Sequence, residues 1–275
     1  MSEGIIFYND GTKCLSRLLV SVHSLRKYYN GNICIISSGE KGREIVQKVC
    51  KEYECQFKEM VSDINNIKYH YFFEKTRMHL YTPYDITFFM DSDTLTIKNP
   101  SDIFSSIEEN DFVVPMFSNW TTQTDDIKNR LSQWRIIDNN LVEETINKNR
   151  PSVNVGTYGF KKSSEFMKNW FDFTMKNIET FIPDEIACHL LLNRYKGIIV
   201  DRKYNCSCKY DDPFIEDTRI VHYHGRKHCR ITDGKIMYHG ELWVKEWKEV
   251  FEKNVCDVKE WGKTSGDRYL RRYVW

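Results

Sequence analysis

Short apolar runs alternate along the chain with stretches whose apolar positions recur at helical spacing. The spacing predicts helices at 14–29, 42–53 and 74–81, while each short run is bounded by turn residues, as buried strands are. Strand and helix in alternation imply parallel strands joined by crossovers, with both faces of the sheet covered. The pattern therefore predicts an α/β fold with a mixed, mostly parallel sheet flanked by helices. Strands are predicted at 5–8, 33–36, 55–60 and 86–90.

The second half of the chain continues this pattern after one long interruption. Residues 116–150 are polar and helical in part, and they hold too few apolar residues for a core of their own. We interpret them as a surface excursion and a candidate acceptor region of a single domain at 1–240, with 241–275 as a helical C-terminal extension. A helix over 163–177 has Phe166, Trp170, Phe173 and Met175 as its expected core-facing set. Further elements are predicted at 102–107, 112–115, 183–192 and 197–200.

Composition narrows the class of protein. The 275 residues carry 40 basic and 39 acidic side chains, a formal net charge of +1, which argues against general nucleic-acid binding. We expect neither a secretory signal nor a membrane span, because the apolar runs are all short. The nine cysteines are scattered, and Cys206-Ser-Cys208 is too tight for the usual zinc spacing. We therefore expect reduced thiols and a cytoplasmic location.

Two carboxylates follow the apolar run Ile86–Met90 directly. Ligands collect at the carboxyl ends of strands in open α/β sheets. Asp91 and Asp93, on the same side of an extended segment, can hold a hard divalent cation. Such a cation, if it keeps open positions, suits a phosphate-bearing substrate. The simpler interpretation is a pair of solvated acids that cap a core strand.

These acids belong to an ordered set of motifs. The run Phe73-Glu-Lys75 followed by Asp91-Ser-Asp93 resembles the glycogenin-type, nucleotide-sugar-dependent glycosyltransferases of the GT-A fold. Other parts of the chain are similar to later and earlier motifs of that family, in the family's order. They are Tyr8-Asn-Asp-Gly11, Asn154-Val-Gly156, Asp184-Glu185 and His222-Tyr-His-Gly225.

The resemblance implies a GT-A (Rossmann-like) fold, a manganese or magnesium cofactor, a nucleotide-sugar donor, with a UDP-sugar favoured, and a glycan or other hydroxyl acceptor. It implies that Asp91, Asp93 and His222 hold the metal. Catalytic roles fall to Lys75, Asp184 and Glu185. The donor-binding set is Tyr8, Asp10, Asp91, Ser92, Asp93, Asn154, Gly156, Gly225 and Lys227.

The chain also departs from the family. The family has Asp-Gln where this chain has Asp184-Glu185, and its late segment continues to Lys-Pro-Trp where this chain reads Arg226-Lys-His228. The identity of the sugar, the acceptor and the stereochemistry therefore stay open. Glu185 supplies a carboxylate that can act as the general base of an inverting transfer, whereas the resembling family retains configuration.

The residues themselves support the same chemistry. A cation that bridges both phosphates stabilises the charge that grows as the anomeric C–O bond breaks. Two carboxylates and a neutral imidazole suit manganese or magnesium better than zinc or copper. Strand alternation puts His222 and His224 on one face, so that either can be the ligand.

Several residues also have simpler interpretations. Lys75, Arg226 and Lys227 can be surface cations instead of phosphate neighbours. Gly156 can be a strand glycine at a bulge. Asp184 and Glu185 can be acids that only favour a helix N-terminus.

Two other functions remain open. In a haloacid-dehalogenase-type phosphatase, Asp91 would be the nucleophile and Asp93 the acid/base, with Lys203 or Asp211-Asp212 as later magnesium-site members. That motif normally follows the first strand of its domain, whereas here two strand–helix units precede it. The third alternative is a non-catalytic protein that binds sugar nucleotides.

Overall fold

The computed structural model describes the chain in two compact units. Unit 1 comprises residues 1–3, 62–89 and 102–205, and unit 2 comprises 4–61, 90–101 and the described residues from 206 onward. Arg226 and Lys227 lie outside the described residues. The described residues are 1–12, 14–64, 67–211, 217–225, 231–232, 235–236 and 238–259.

Short strands and helices alternate through most of the described chain. The strands are β1 (Glu3–Asp10), β2 (Ile33–Ser38), β3 (Gln56–Met60), β4 (Ile86–Met90), β5 (Thr94–Thr96), β6 (Phe112–Pro115), β7 (Thr157–Lys161), β8 (Gly197–Val200), β9 (Cys206–Ser207), β10 (Ile220–His222), β11 (Ile231–Thr232) and β12 (Lys235–Ile236). The helices are α1 (Leu15–Arg26), α2 (Arg43–Glu52), α3 (Tyr71–Glu74), α4 (Ile103–Glu109), α5 (Asp125–Ser132), α6 (Arg135–Lys148), α7 (Glu165–Thr174), α8 (Pro183–Leu191) and α9 (Gly240–Glu252). Short 3₁₀ segments include Lys75–Leu80 and Met175–Asn177.

A seven-stranded, mostly parallel sheet carries the fold, which confirms the predicted α/β class. In unit 2 its strands run in the order β3-β2-β1, all parallel. Every residue of Ile33–Ser38 is buried, as expected for a parallel strand covered on both faces. Unit 2 also holds a small sheet of order β5-β10-β9, in which β10 is antiparallel to β5 and parallel to β9.

In unit 1 the strand order is β4-β7-β6-β8, with β6 antiparallel to β7 and parallel to β8. Aromatic rings fill its core: Phe112 stacks on Phe166 and meets Trp170 edge-on. Gly159 on β7 leaves room for Ile107 of α4, because a Cβ at this position would collide with the Ile107 side chain. The missing Cβ at Gly159 therefore lets the Ile107 side chain pack directly against β7.

Most predicted elements are present, with two differences. The predicted helix at 74–81 is split into α3 and a 3₁₀ segment, with a non-helical backbone at Arg77. In α7, Met175 is wrong as a core residue: the helix ends at Thr174, Met175 is half-buried, and Met167 is buried in its place. Position 167 precedes Trp170 by three residues, so it shares that face of the helix.

The segment 116–150 forms α5 and α6 and belongs to unit 1. It contributes fully buried side chains, among them Leu131 and Trp134, so it is not only a surface excursion. The predicted boundary between residues 240 and 241 stays a prediction. Within the ranges described above, no helix is long and apolar enough to span a membrane. The cysteines in the same ranges are free thiols.

Candidate functional site

Asp91 and Asp93 lie on a tight turn that joins β4 to β5. Both the backbone N–H and the hydroxyl of Thr94 donate hydrogen bonds to the Asp91 carbonyl oxygen, at 3.2 and 2.7 Å. The prediction that strand alternation places the two acids on one side of an extended segment is therefore wrong. The turn, not strand alternation, sets their separation. The place is as predicted, directly after the buried strand.

The register of the small sheet brings His222 to these acids. β10 runs antiparallel to β5 with His222 opposite Thr94, one residue after Asp93. The next N–H, that of Tyr223, donates to the Asp93 carbonyl oxygen at 2.9 Å. His222 Nε2 consequently lies 3.3 Å from Asp93 Oδ1.

Asp91, Asp93 and His222 form a cluster with the donor atoms of a divalent-cation site. One ligand atom from each residue lies within 4.8 Å of the other two. Among the described residues, His222 Nδ1 is buried and has no hydrogen-bond partner. No hydrogen bond from these residues therefore occupies this ring nitrogen. Two carboxylates and one imidazole nitrogen fit manganese or magnesium. We call these three residues the acid–histidine cluster.

Arg17 of α1 adds a cation to the acid–histidine cluster. Its Nη1 lies 3.4 Å from Asp93 Oδ2, while its Nη2 donates to Cys14 Sγ at 2.8 Å. Burial raises the pKa of the Cys14 thiol, and the Arg17 guanidinium opposes that shift. Arg17 was absent from the sequence prediction, because nothing local in the chain links the first turn of α1 to Asp93.

His224 has different neighbours from His222. Its Nε2 lies 2.8 Å from the Ser207 hydroxyl, and its ring stacks with Tyr210. The two histidine rings are 5.6 Å apart, but His224 lies in the turn after β10, so strand alternation does not set their positions. The arrangement favours His222 as the ligand, which stays a prediction.

The predicted nucleobase loop lies at the carboxyl ends of β1 and β2. The hydroxyl groups of Tyr8 and Ser38 are 2.8 Å apart, and Ser38 also donates to Asp10 Oδ1 at 3.4 Å. The parallel register pairs Asp10 with Ser38, which explains why these polar groups meet. Ser92 lies between the two acids, and Gly225 is exposed with a φ of 66°. The donor-binding roles of these residues stay predictions.

Unit 1 holds a second group of predicted residues. Lys75 Nζ lies 3.1 Å from Asp184 Oδ2 and donates to the Val155 carbonyl oxygen at 3.2 Å. Lys75 is 6% exposed and Asp184 is 0% exposed, so Lys75 is not a surface cation. Neither Asp184 oxygen has an aligned hydrogen bond from a described residue, so the pairing with Lys75 is chiefly electrostatic. Burial raises the pKa of Asp184, and the Lys75 ammonium opposes the shift.

Glu185, beside Asp184 at the start of α8, is hydrogen-bonded through both carboxylate oxygens. Arg130 Nη2 of α5 donates to Oε1 at 3.0 Å, and Asn154 Nδ2 donates to Oε2 at 2.8 Å. Burial raises the pKa of Glu185, the Arg130 guanidinium opposes this, and Asp184 adds to it. Asn154 Oδ1 in turn accepts from the Gly156 N–H at 3.0 Å, so Gly156 lies in a turn and not at a strand bulge.

Two residues of this second group were not predicted. Arg130 lies in the polar segment 116–150 and is 55 positions away from its partner Glu185. Asn205 donates to the Asn154 carbonyl oxygen at 2.7 Å and to Asn154 Oδ1 at 3.2 Å. No local sequence signal marks either residue, because each acts through a partner that is distant in sequence.

No family model and no curated protein matches the chain. Solved structures do match. The galactosyltransferase LgtC, solved with donor and acceptor sugar analogues, is 12% identical; the match covers 90% of this chain and 95% of LgtC, with a TM-score of 0.63. Mouse xyloside xylosyltransferase 1 is also 12% identical, over 82% of this chain and 99% of that chain, with a TM-score of 0.57.

The glycosyltransferase GlyE of Streptococcus pneumoniae TIGR4 is 14% identical, over 92% of this chain and 65% of GlyE, with a TM-score of 0.62. At these identities the common feature is the fold. The matched proteins share the mostly parallel sheet flanked by helices described above. The chain therefore has the fold of the GT-A glycosyltransferases.

Proposed function

We propose that this protein is a metal-dependent glycosyltransferase that moves a hexosyl or pentosyl group to a glycan or other hydroxyl acceptor. The donor is a nucleotide sugar, and a UDP-sugar is the donor that we favour. The observation that carries the proposal is the acid–histidine cluster, whose three ligand atoms converge directly after β4 in a GT-A fold. The carboxyl ends of strands are where open α/β sheets bind ligands.

Unit 2 holds the residues that we propose to bind the metal and the nucleoside diphosphate. Asp91, Asp93 and His222 would hold manganese or magnesium, which would offset the negative charge that grows on the leaving diphosphate. Arg17 is within 3.4 Å of Asp93 and supplies further positive charge. Tyr8 and Asp10, through their contacts with Ser38, present polar groups that suit a nucleobase.

Asn154 and Lys75 carry groups that suit a sugar hydroxyl and a negative charge. Asn154 uses its amide oxygen for Gly156 and Asn205 and one amide hydrogen for Glu185. The described residues show no hydrogen bond from its second amide hydrogen, which could bind a sugar hydroxyl. Lys75 is held by Asp184 and the Val155 carbonyl group, which fixes its charge in place.

Two observations make the phosphatase alternative less favourable. Lys203 lies 3.1 Å from Asp102 in an ion pair. Asp211 is 7% exposed and accepts a hydrogen bond from the Ser207 N–H. The other acid of that alternative, Asp212, lies outside the described residues.

A direct test incubates the protein with manganese and a panel of sugar nucleotides, then measures nucleoside diphosphate release. We expect release from at least one donor, and we expect Asp91→Asn and Asp93→Asn to abolish it with unchanged thermal unfolding. A matched control is His23→Ala, since His23, Glu246 and Glu249 form the other cluster of metal-ligand type in the described chain. Lys27 Nζ occupies that cluster, 2.7 Å from Glu249 Oε2, so this variant should retain activity. Phosphate release from a phosphate ester, or no reaction at all, would contradict the proposal.

A further inference from the structure

The Arg130–Glu185 ion pair lies in a polar network that is almost closed to solvent. The Glu185 side chain is 6% exposed and that of Arg130 is 11% exposed. Arg130 reaches Glu185 from α5, and its Nε also donates to Asp126 on the same helix at 3.1 Å. Each Glu185 oxygen accepts a hydrogen bond from a group that only donates here, the Arg130 guanidinium or the Asn154 NH₂.

The orientation of Asn154 follows from this network. Its Oδ1 accepts from the Gly156 N–H at 3.0 Å and from Asn205 Nδ2 at 3.2 Å, so the oxygen end of the amide is fixed by two donors. Its NH₂ end must then point at an acceptor, and Glu185 Oε2 is that acceptor at 2.8 Å. If the amide were flipped, its NH₂ group would face the Gly156 N–H and Asn205 Nδ2, and these donors would have no acceptor in Asn154.

An amide in place of Glu185 does not fit this network. Glutamine offers one oxygen and one NH₂ group, so its NH₂ would face either Arg130 or Asn154, both of which donate. The guanidinium would also lose its buried counter-charge and keep only the exposed Asp126, which is costly in a site with little water. The hydrogen bonds of this network therefore depend on both the Glu185 carboxylate and the Arg130 guanidinium.

We infer that Arg130 and Glu185 are positioning residues of the proposed sugar-transfer site, in which Arg130 holds the Glu185 carboxylate and Glu185 holds Asn154. The inference rests on the proposed function and changes the role assigned to Glu185. A general base needs a free lone pair within reach of the acceptor hydroxyl. Each Glu185 oxygen keeps a second lone pair, but the side chain is only 6% exposed and is held by two protein donors, which places it poorly for reaching an acceptor hydroxyl. The segment 116–150 thus supplies, through Arg130, a part of the site.

A double-mutant cycle tests the inference. Arg130→Gln, Glu185→Gln and the double variant are compared with wild type for manganese-dependent hydrolysis of the UDP-sugar that wild type turns over fastest. Each single change should lower kcat by about 100-fold, the loss that a small misplacement of a reacting group can cause, with the donor KM changed much less. The double variant should lose no more than the worse single variant, because it leaves neither a buried charge without its partner nor Asn154 without an acceptor.

Two further variants separate positioning from simple structural damage. Arg130→Lys keeps the charge and should retain more activity than Arg130→Gln. Arg135→Gln/Glu143→Gln removes a solvent-exposed ion pair at 2.8 Å in the same segment and should leave kcat unchanged. Urea unfolding of the same cycle should show coupling between Arg130 and Glu185, and circular dichroism should show that the variants fold.

Loss of turnover in Glu185→Gln with wild-type turnover in Arg130→Gln would identify Glu185 as a base and overturn the inference. Additive losses in the double variant, about 10,000-fold in all, would overturn it as well. Wild-type protein that releases no nucleoside diphosphate from any donor would instead overturn the proposed function, whatever coupling the unfolding cycle shows.

Discussion

His189 should make the stability of the protein sensitive to acid, by an amount that the structure allows to be calculated. His189 lies on α8 with Asp184 and Glu185, is 3% exposed, and accepts a hydrogen bond at Nε2 from the Val153 N–H at 3.4 Å. Burial, together with the charge of Arg130, lowers its pKa to about 3. An unfolded histidine has a pKa of about 6.5.

These two pKa values determine whether acid stabilises or destabilises the folded state. Below about pH 6.5 the unfolded chain binds a proton at His189 that the folded chain does not, so the folded state loses stability as the pH falls. Each pH unit costs about 1.4 kcal/mol until the folded pKa is reached. From pH 7 to pH 5 the loss due to this residue should be about 2 kcal/mol. Protonation would also break the contact that ties Val153, next to Asn154, to α8.

The assay is urea unfolding of wild type and His189→Gln at several pH values between 5 and 7. Glutamine keeps an acceptor for the Val153 N–H and does not titrate. Buried Asp184 and Glu185, with raised pKa values, favour the folded state as the pH falls, so the wild-type curve alone mixes opposite signs. The difference between wild type and variant isolates His189. A difference that stays constant from pH 7 to pH 5 would refute the reasoning.

Other changes should have equally definite results. Asp184→Asn removes the negative charge 3.1 Å from the buried Lys75 ammonium, so urea unfolding should show a loss of about 3–5 kcal/mol; an unchanged free energy of unfolding would contradict this. UDP with manganese at about 100 times its dissociation constant should stabilise the fold by about 2.7 kcal/mol in thermal unfolding, and a larger shift with GDP would contradict the UDP assignment. His222→Ala should weaken manganese binding in calorimetry more than His224→Ala, and the reverse order would move the ligand to His224.

The elements and acids that depend on local pattern were predictable. The run Ile86–Met90 is apolar throughout, so a buried strand followed by Asp91 and Asp93 could be read directly from the sequence. The third member of the cluster, His222, came only from the resemblance to a family. Its proximity to Asp93 depends on an antiparallel register between two three-residue strands, which no periodicity reveals.

The contacts that depend on distant partners were not predictable. Arg130 looked like one more charge in a polar segment, because its partner is 55 positions away. The same polar composition hid the fact that Trp134 is fully buried in unit 1. Glu185 was a candidate base because the sequence does not show that its side chain is 6% exposed and held by two donors. Propensity and pattern describe one element at a time, whereas these contacts join several.

The central claim is that Asp91 and Asp93 hold a cation required for sugar transfer, and one measurement tests it most directly. Nucleoside diphosphate release from a UDP-sugar is followed as manganese is titrated into wild type and into Asp93→Asn, with the metal first removed by a chelator. The account predicts saturable, manganese-dependent release by wild type and none above background by the variant, with both proteins folded. Release that is the same with and without the metal, or the same in the variant, would contradict it.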